Sequence, residues 1–187
     1  MGDSLEPDKL ETTTEWLKLV FPNGSFDIRE LNPVFGFSLL WNLFERIQSK
    51  ELGKDFEAKH LIKIGQSDFN VISEHELDLI FNHFVNRYFI DETDGPKRFT
   101  KLRLEKFGTN MKPFGQSVTD FMTASLRPEQ NDLIKRMTAV LLIICRFRNN
   151  LFHGAKDTLK LNKFVNEFTV INKFLRVYLA AKIITKP

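Results

Sequence analysis

Apolar side chains recur along this chain at three- and four-residue steps, and no stretch of any length alternates as a strand would. Leu133, Met137, Val140, Leu141, Ile144, Phe147 and Leu151 mark the most apolar segment and predict a helix over about 129–152. Leu161, Phe164, Val165, Phe168, Ile171, Leu175 and Tyr178 predict another over about 159–184. Pro33, suited to a first helical turn, precedes Phe37, Leu40, Trp41, Phe44 and Ile47, which predict a helix to about Lys50. Ser73 with Glu76 three residues later is a capping box, opening a helix to about residue 90 on Leu77, Ile80, Phe81, Phe84, Val85 and Tyr88. Gln116 to Ser125 reads as a short helix broken at Arg127-Pro128, and 53–70 as mostly loop with a helical turn. A loosely ordered leader over 1–15 and a short helical piece from Trp16 to Phe21 complete the chain. The pattern predicts one all-α domain over 1–187 with a four-helix core at 33–50, 73–90, 129–152 and 159–184. The last two helices should be antiparallel and joined by a short turn.

Composition changes this picture little. With 187 residues and 42% hydrophobic content the chain can bury a core, and 19 Phe against two Tyr and two Trp point to packing rather than exposed stacking. A net charge of +3 permits a polyanionic partner without indicating one. Cys145 is the single cysteine and lies in the apolar helix, which excludes a disulfide framework and predicts a small buried hydrophobe. The absence of an apolar run of membrane-spanning length predicts a soluble, cytoplasmic protein. No Gly-rich phosphate loop is present, which argues against a nucleotide-binding enzyme. His75 and His83 lack a third ligand at metal spacing and read as surface histidines, so no metal or cofactor is expected. Lys97, Arg98, Lys101, Arg103 and Lys106 follow a turn at 91–96; they read as a solvated helix face or, on an RNA enzyme, as a place for a phosphate backbone.

Candidate chemistry is confined to Arg146-Phe147-Arg148-Asn149-Asn150-Leu151-Phe152-His153-Gly154. At about 100° per residue, Arg146, Asn149, Asn150 and His153 gather on the arc opposite the apolar stripe. As a helix C-terminus the stretch explains itself, with Gly154 as a left-handed cap and cations at the negative end of the dipole. As a site it offers an imidazole that titrates near neutral pH, guanidinium groups that never lose their charge, and Asn149 one turn before His153. Glu45, one turn after Trp41, is placed either as a solvated flank or as a partner that fixes the fork of a motif arginine.

The stretch Arg148 to Gly154, RNNLFHG, resembles the motif of the HEPN superfamily, all-helical proteins found among toxin, phage-defence and RNA-processing ribonucleases. Leu40-Trp41-Asn42-Leu43-Phe44-Glu45 is similar to a Trp-to-Glu helix segment of some defence-associated members. The resemblance implies a metal-independent endoribonuclease leaving a 2′,3′-cyclic phosphate, with Arg148 and His153 catalytic and Asn149, Arg146, Lys156 and Glu45 supporting or phosphate-binding. It implies RNA as partner, a homodimer with two motifs facing one cleft, and an antitoxin or defence-partner protein. The superfamily also contains members that bind without cutting, so a helical RNA- or protein-binding module that keeps the motif for structure is the alternative. Geometry and resemblance disagree on the phosphate ligand. In a regular helix Arg148 points about 140° away from His153, whereas Arg146, seven residues back, shares its face but is followed by Phe rather than a polar residue.

Overall fold

The computed structural model describes residues 32–152 and 163–184, and in these the chain is all-α. Seven α-helices are formed: α1 (Asn32–Leu52), α2 (His60–Asp68), α3 (Glu74–Val85), α4 (Gly95–Thr100), α5 (Val118–Ser125), α6 (Leu133–Phe152) and α7 (Val165–Ile184). A π-helical turn, Asn86–Ile90, extends α3, and two 3₁₀ turns, Leu104–Phe107 and Pro113–Gly115, lie between α4 and α5. The leader, Trp16 to Phe21 and the segment 153–162 lie outside the described residues.

Helix starts follow local chemistry. Ser73 accepts the Glu76 N–H at the head of α3, Ser117 accepts the Asp120 N–H at the head of α5, and Asp132 accepts the N–H groups of Ile134 and Lys135 ahead of α6. Each cap satisfies donors that the first turn leaves without an intrahelical partner.

Helix α6 is the axis of the fold. Every residue from Arg136 to Phe147 is buried, so the helix is covered all round rather than along one stripe. Helices α2 and α3 lie closest to it, and α7 lies closest to α1. Phe37 meets Phe168, while Gln48 and Glu51 further along α1 meet Tyr178 and Lys182, so α1 and α7 run in the same direction. Helix α3 runs with α6, through Asp78–Arg136 and Phe84–Phe147, and against α7, through Arg87–Glu167. The two long helices are therefore antiparallel, as their sequence order suggested, but neither is the other's closest neighbour. They meet through large rings, Phe147 against Phe164 and Phe168, which hold the backbones apart.

The stretch 53–70, read as mostly loop, contains the nine-residue helix α2. Its apolar residues are irregular because one of its contacts is a glycine: a Cβ on Gly65 would overlap Thr138 Oγ1 and lie 2.9 Å from Thr138 Cα. Gly65→Ala should therefore force α2 away from α6 and destabilise the protein by about 1–3 kcal/mol, seen as a lower urea midpoint with an unchanged m-value. An unchanged midpoint would mean that this crossing is not needed.

Buried polar groups tie the helices where apolar packing alone would let them slide. Tyr178 donates to Asp68 and accepts from Gln48 at 2.9 Å, and Lys182 bridges Asp68 at 2.9 Å and Glu51 at 2.8 Å, joining α1, α2 and α7. Burial pushes the Tyr178 hydroxyl well above its usual range, and the adjacent Asp68 carboxylate adds to this, so the tyrosine remains a donor.

His75 is exposed as expected, whereas His83 is half-buried beside Arg87 and Glu167, with its Nε2 unpartnered among the described residues. Burial lowers the pKa of both His83 and His60. His83 faces Glu167, which opposes the shift, and Arg87, which adds to it. Around His60, Lys54, Lys59 and Lys63 add to the shift and Glu57 opposes it, while its Nδ1 accepts the Glu57 N–H at 3.0 Å and so must be unprotonated. Both histidines take up protons more readily in the unfolded chain, so their contribution to stability is complete above pH about 6.5 and is lost as pH falls through the lowered native values. The urea midpoint should drop between pH 7.5 and pH 5.5, and drop less in His60→Gln; a flat profile would contradict this.

Candidate functional site at the end of the central helix

Helix α6 continues unbroken to Phe152 and so carries Arg146, Arg148, Asn149 and Asn150 on its last turns. Because Arg146 and Arg148 are two residues apart, they leave the helix in nearly opposite directions, about 200° apart. What each meets decides what it can do.

Arg146 points inward. It is 5% exposed, its Nε donates to the Leu102 carbonyl at 2.7 Å, its Nη2 donates to Asn150 Oδ1 at 3.0 Å, and its guanidinium lies 5.5 Å from the Phe107 ring centre. Burial weakens its hold on the proton. The arc expected to face solvent is thus covered by the segment 102–107 of the same chain, which supplies a carbonyl and an aromatic face to a cation otherwise stranded. Arg146→Ala would leave the Leu102 carbonyl and Asn150 without their donor, and should lower stability by about 1–3 kcal/mol, measured as a loss of urea midpoint. No change in the midpoint would show that water replaces the guanidinium without cost.

Arg148 points the other way, toward α1. Its Nη2 lies 3.5 Å from Glu45 Oε1, and its Nη1 donates to Asn149 Oδ1 at 3.2 Å. The side chains of Arg148 and Glu45 are 31% and 27% exposed, so the pair is partly open, although the Arg148 Nε is buried. A partly exposed pair of this kind contributes at most about 1 kcal/mol to stability, and its consequence is orientation. Trp41, one turn before Glu45, is fully buried between Phe37, Phe44 and Phe56, which fixes the rotation of α1 and with it the direction of Glu45. The two stretches singled out in the sequence, 40–45 and 148–154, therefore meet through Glu45 and Arg148.

Asn149 leans back on its own helix, its Nδ2 3.8 Å from Cys145 Sγ. Cys145 is buried, and burial pushes its thiol up to about 12, so it is a packing residue rather than a nucleophile. His153 and Lys156 lie outside the described residues. Among the described residues no group of three or more His, Cys, Asp or Glu is placed to hold a metal ion.

Periodicity gave no sign of the partners that matter here. Leu102 is 44 residues from Arg146, and its contribution is a backbone carbonyl, which no side-chain pattern reports. The Arg87–Glu167 pair, half-buried on α3 and buried on α7, was likewise not legible. No family model, curated protein or solved structure matches this chain. Among the described residues no helix is long and apolar enough to cross a membrane.

Proposed function

We propose that this chain is a metal-independent endoribonuclease of HEPN type, acting in a defence or toxin–antitoxin setting. The observation that carries the reading is Arg148, first residue of the RNNLFHG stretch, paired with Glu45 at the end of the central helix with its side chain about a third exposed. In this reading Arg148 binds the scissile phosphate and stabilises the charge that develops on it. His153 takes the proton from the ribose 2′-hydroxyl; the 2′-oxygen attacks phosphorus, the bond to the 5′-oxygen breaks, and the 5′-oxygen leaves as a hydroxyl by taking a proton from water, while His153 returns its own proton to solvent. The products are a 2′,3′-cyclic phosphate and a 5′-hydroxyl end. Arg146, committed to Leu102 and Asn150, is left out of the phosphate site and kept as a support.

A homodimer fits this reading. Phe35, Leu39 and Leu43 form an exposed apolar stripe at four-residue steps on α1, the helix that bears Glu45. Such a stripe is self-complementary about Leu39 and offers a second copy an apolar surface on α1, on a different face of the helix from Glu45. An antitoxin or defence-partner protein would act by covering the same end of the molecule.

The burial of Arg146 favours a second reading, in which the motif is kept for structure and the chain is a non-catalytic RNA- or protein-binding module. Incubating the purified protein with total cellular RNA in EDTA, beside the His153→Ala variant, separates the two. Cleavage by the parent alone supports the nuclease; no cleavage by either leaves the binding module.

A further inference from the structure

The segment 97–115 holds six cationic residues against one carboxylate, Glu105, a larger excess than the +3 of the whole chain. Arg98 is engaged by Asp91 and Asp94, and Lys97 lies 3.8 Å from Asp94. Arg103 keeps only a loose, exposed approach to Glu105 at 3.7 Å. Lys101, Lys106 and Lys112 are exposed, with no ion pair among the described residues. The segment is not a helix face, as its sequence suggested. It breaks after α4 into two 3₁₀ turns, and both pack on α5, which in turn packs on α6.

Two backbone positions in this segment are unusual. Arg103 has φ 55° and Phe114 has φ 51°, the left-handed region that bulky side chains avoid, and these are the only such non-glycine residues among those described. Strain of this kind persists where the surroundings or a function demand it. At Phe114 the result is a ring stacked on Phe121 at 5.4 Å between centres and 40% exposed, beside Lys112. Arg146 joins the two, because its hydrogen bond to the Leu102 carbonyl and its place over Phe107 fasten this segment to the last turns of α6.

We propose that the exposed cations Lys101, Arg103, Lys106 and Lys112, with the ring of Phe114, form a track for single-stranded RNA, and that Arg146 is a positioning residue that holds this track beside the end of α6. Exposed cations along a surface neutralise successive phosphates, and an exposed aromatic face accepts a base only when that base is free of a duplex. The identity of the polyanion rests on the ribonuclease reading; the surface itself does not.

The test is fluorescence anisotropy with a labelled 2′-O-methyl oligouridylate of about 12 nucleotides, which spans a typical track and lacks the 2′-hydroxyl needed for cleavage. The Lys101→Glu/Lys106→Glu/Lys112→Glu variant should bind at least about tenfold more weakly, with the slope of log K against log salt reduced by roughly 2, from three phosphate contacts. Phe114→Gly, whose backbone accepts the positive φ, should bind about tenfold more weakly while keeping a cooperative melt. Unchanged affinity in either variant, or tighter binding of the matching duplex, would overturn the proposal. So would binding of polyglutamate or phosphatidylserine vesicles with none of the oligonucleotide. Because the probe cannot be cut, a parent that cleaves ordinary RNA but does not bind the probe would condemn this surface alone, and a parent that binds the probe but cleaves nothing would condemn the nuclease reading alone.

Discussion

His153→Ala and Arg148→Ala should each lower RNA cleavage by about a hundredfold or more while leaving thermal stability near that of the parent. General acid–base catalysis contributes about 10²–10⁴, and removal of one preorganised donor to a developing oxyanion costs about 10²–10³. The Arg148–Glu45 pair is partly exposed, so its loss is a small matter for folding. Arg146→Ala should behave in the opposite way, losing stability first and activity through it, since its partners are a buried carbonyl and a buried amide. Cleavage should persist in EDTA and leave 2′,3′-cyclic phosphate ends, read by their resistance to direct end-labelling at the 3′ side. Unchanged cleavage by the His153 variant, or activity abolished by EDTA and restored by added metal, would reject this mechanism.

Deleting the chain after Phe164 should abolish folding rather than trim activity. Helix α7 contributes Phe168, Ile171, Leu175 and Tyr178, all fully buried, and burial of each such side chain stabilises by roughly 1.5–3 kcal/mol. Four of them together rival the whole net stability of a domain, about 5–15 kcal/mol. The truncation would also strip α1 of its closest neighbour and leave Asp68 without Tyr178 and Lys182. Insoluble or protease-sensitive protein is the expected outcome on expression. A soluble truncated chain with a cooperative urea transition would show that α7 is an accessory to a core formed by the other helices.

The positions of the long helices were written in the sequence because each has a three-to-four-residue apolar repeat that only a helix can bury, and because Ser73 and Asp132 cap the starts of α3 and α6 locally. Helix α2 was missed because its key contact is made by the absence of a side chain at Gly65, which a hydrophobic pattern does not register. The same limit explains the central helix. Its apolar stripe was legible, but Thr138, Ala139, Leu142 and Ile143 on its other arcs are also buried, by α2 and by elements far away in the chain.

The candidate site divides along the same line. Residue order alone places two arginines, two asparagines and a histidine in succession at the end of an apolar helix, and a carboxylate four residues after a core tryptophan. Helical geometry then required Arg146 and Arg148 to point apart. Which of them is spent depends on long-range packing: the carbonyl of Leu102 and the ring of Phe107 close over Arg146, and Glu45 of α1 pairs with the partly exposed Arg148. The reason is that a guanidinium's role is set by the atoms that desolvate or pair it, and those atoms belong to residues about a hundred positions away for Arg148 and to a backbone carbonyl for Arg146.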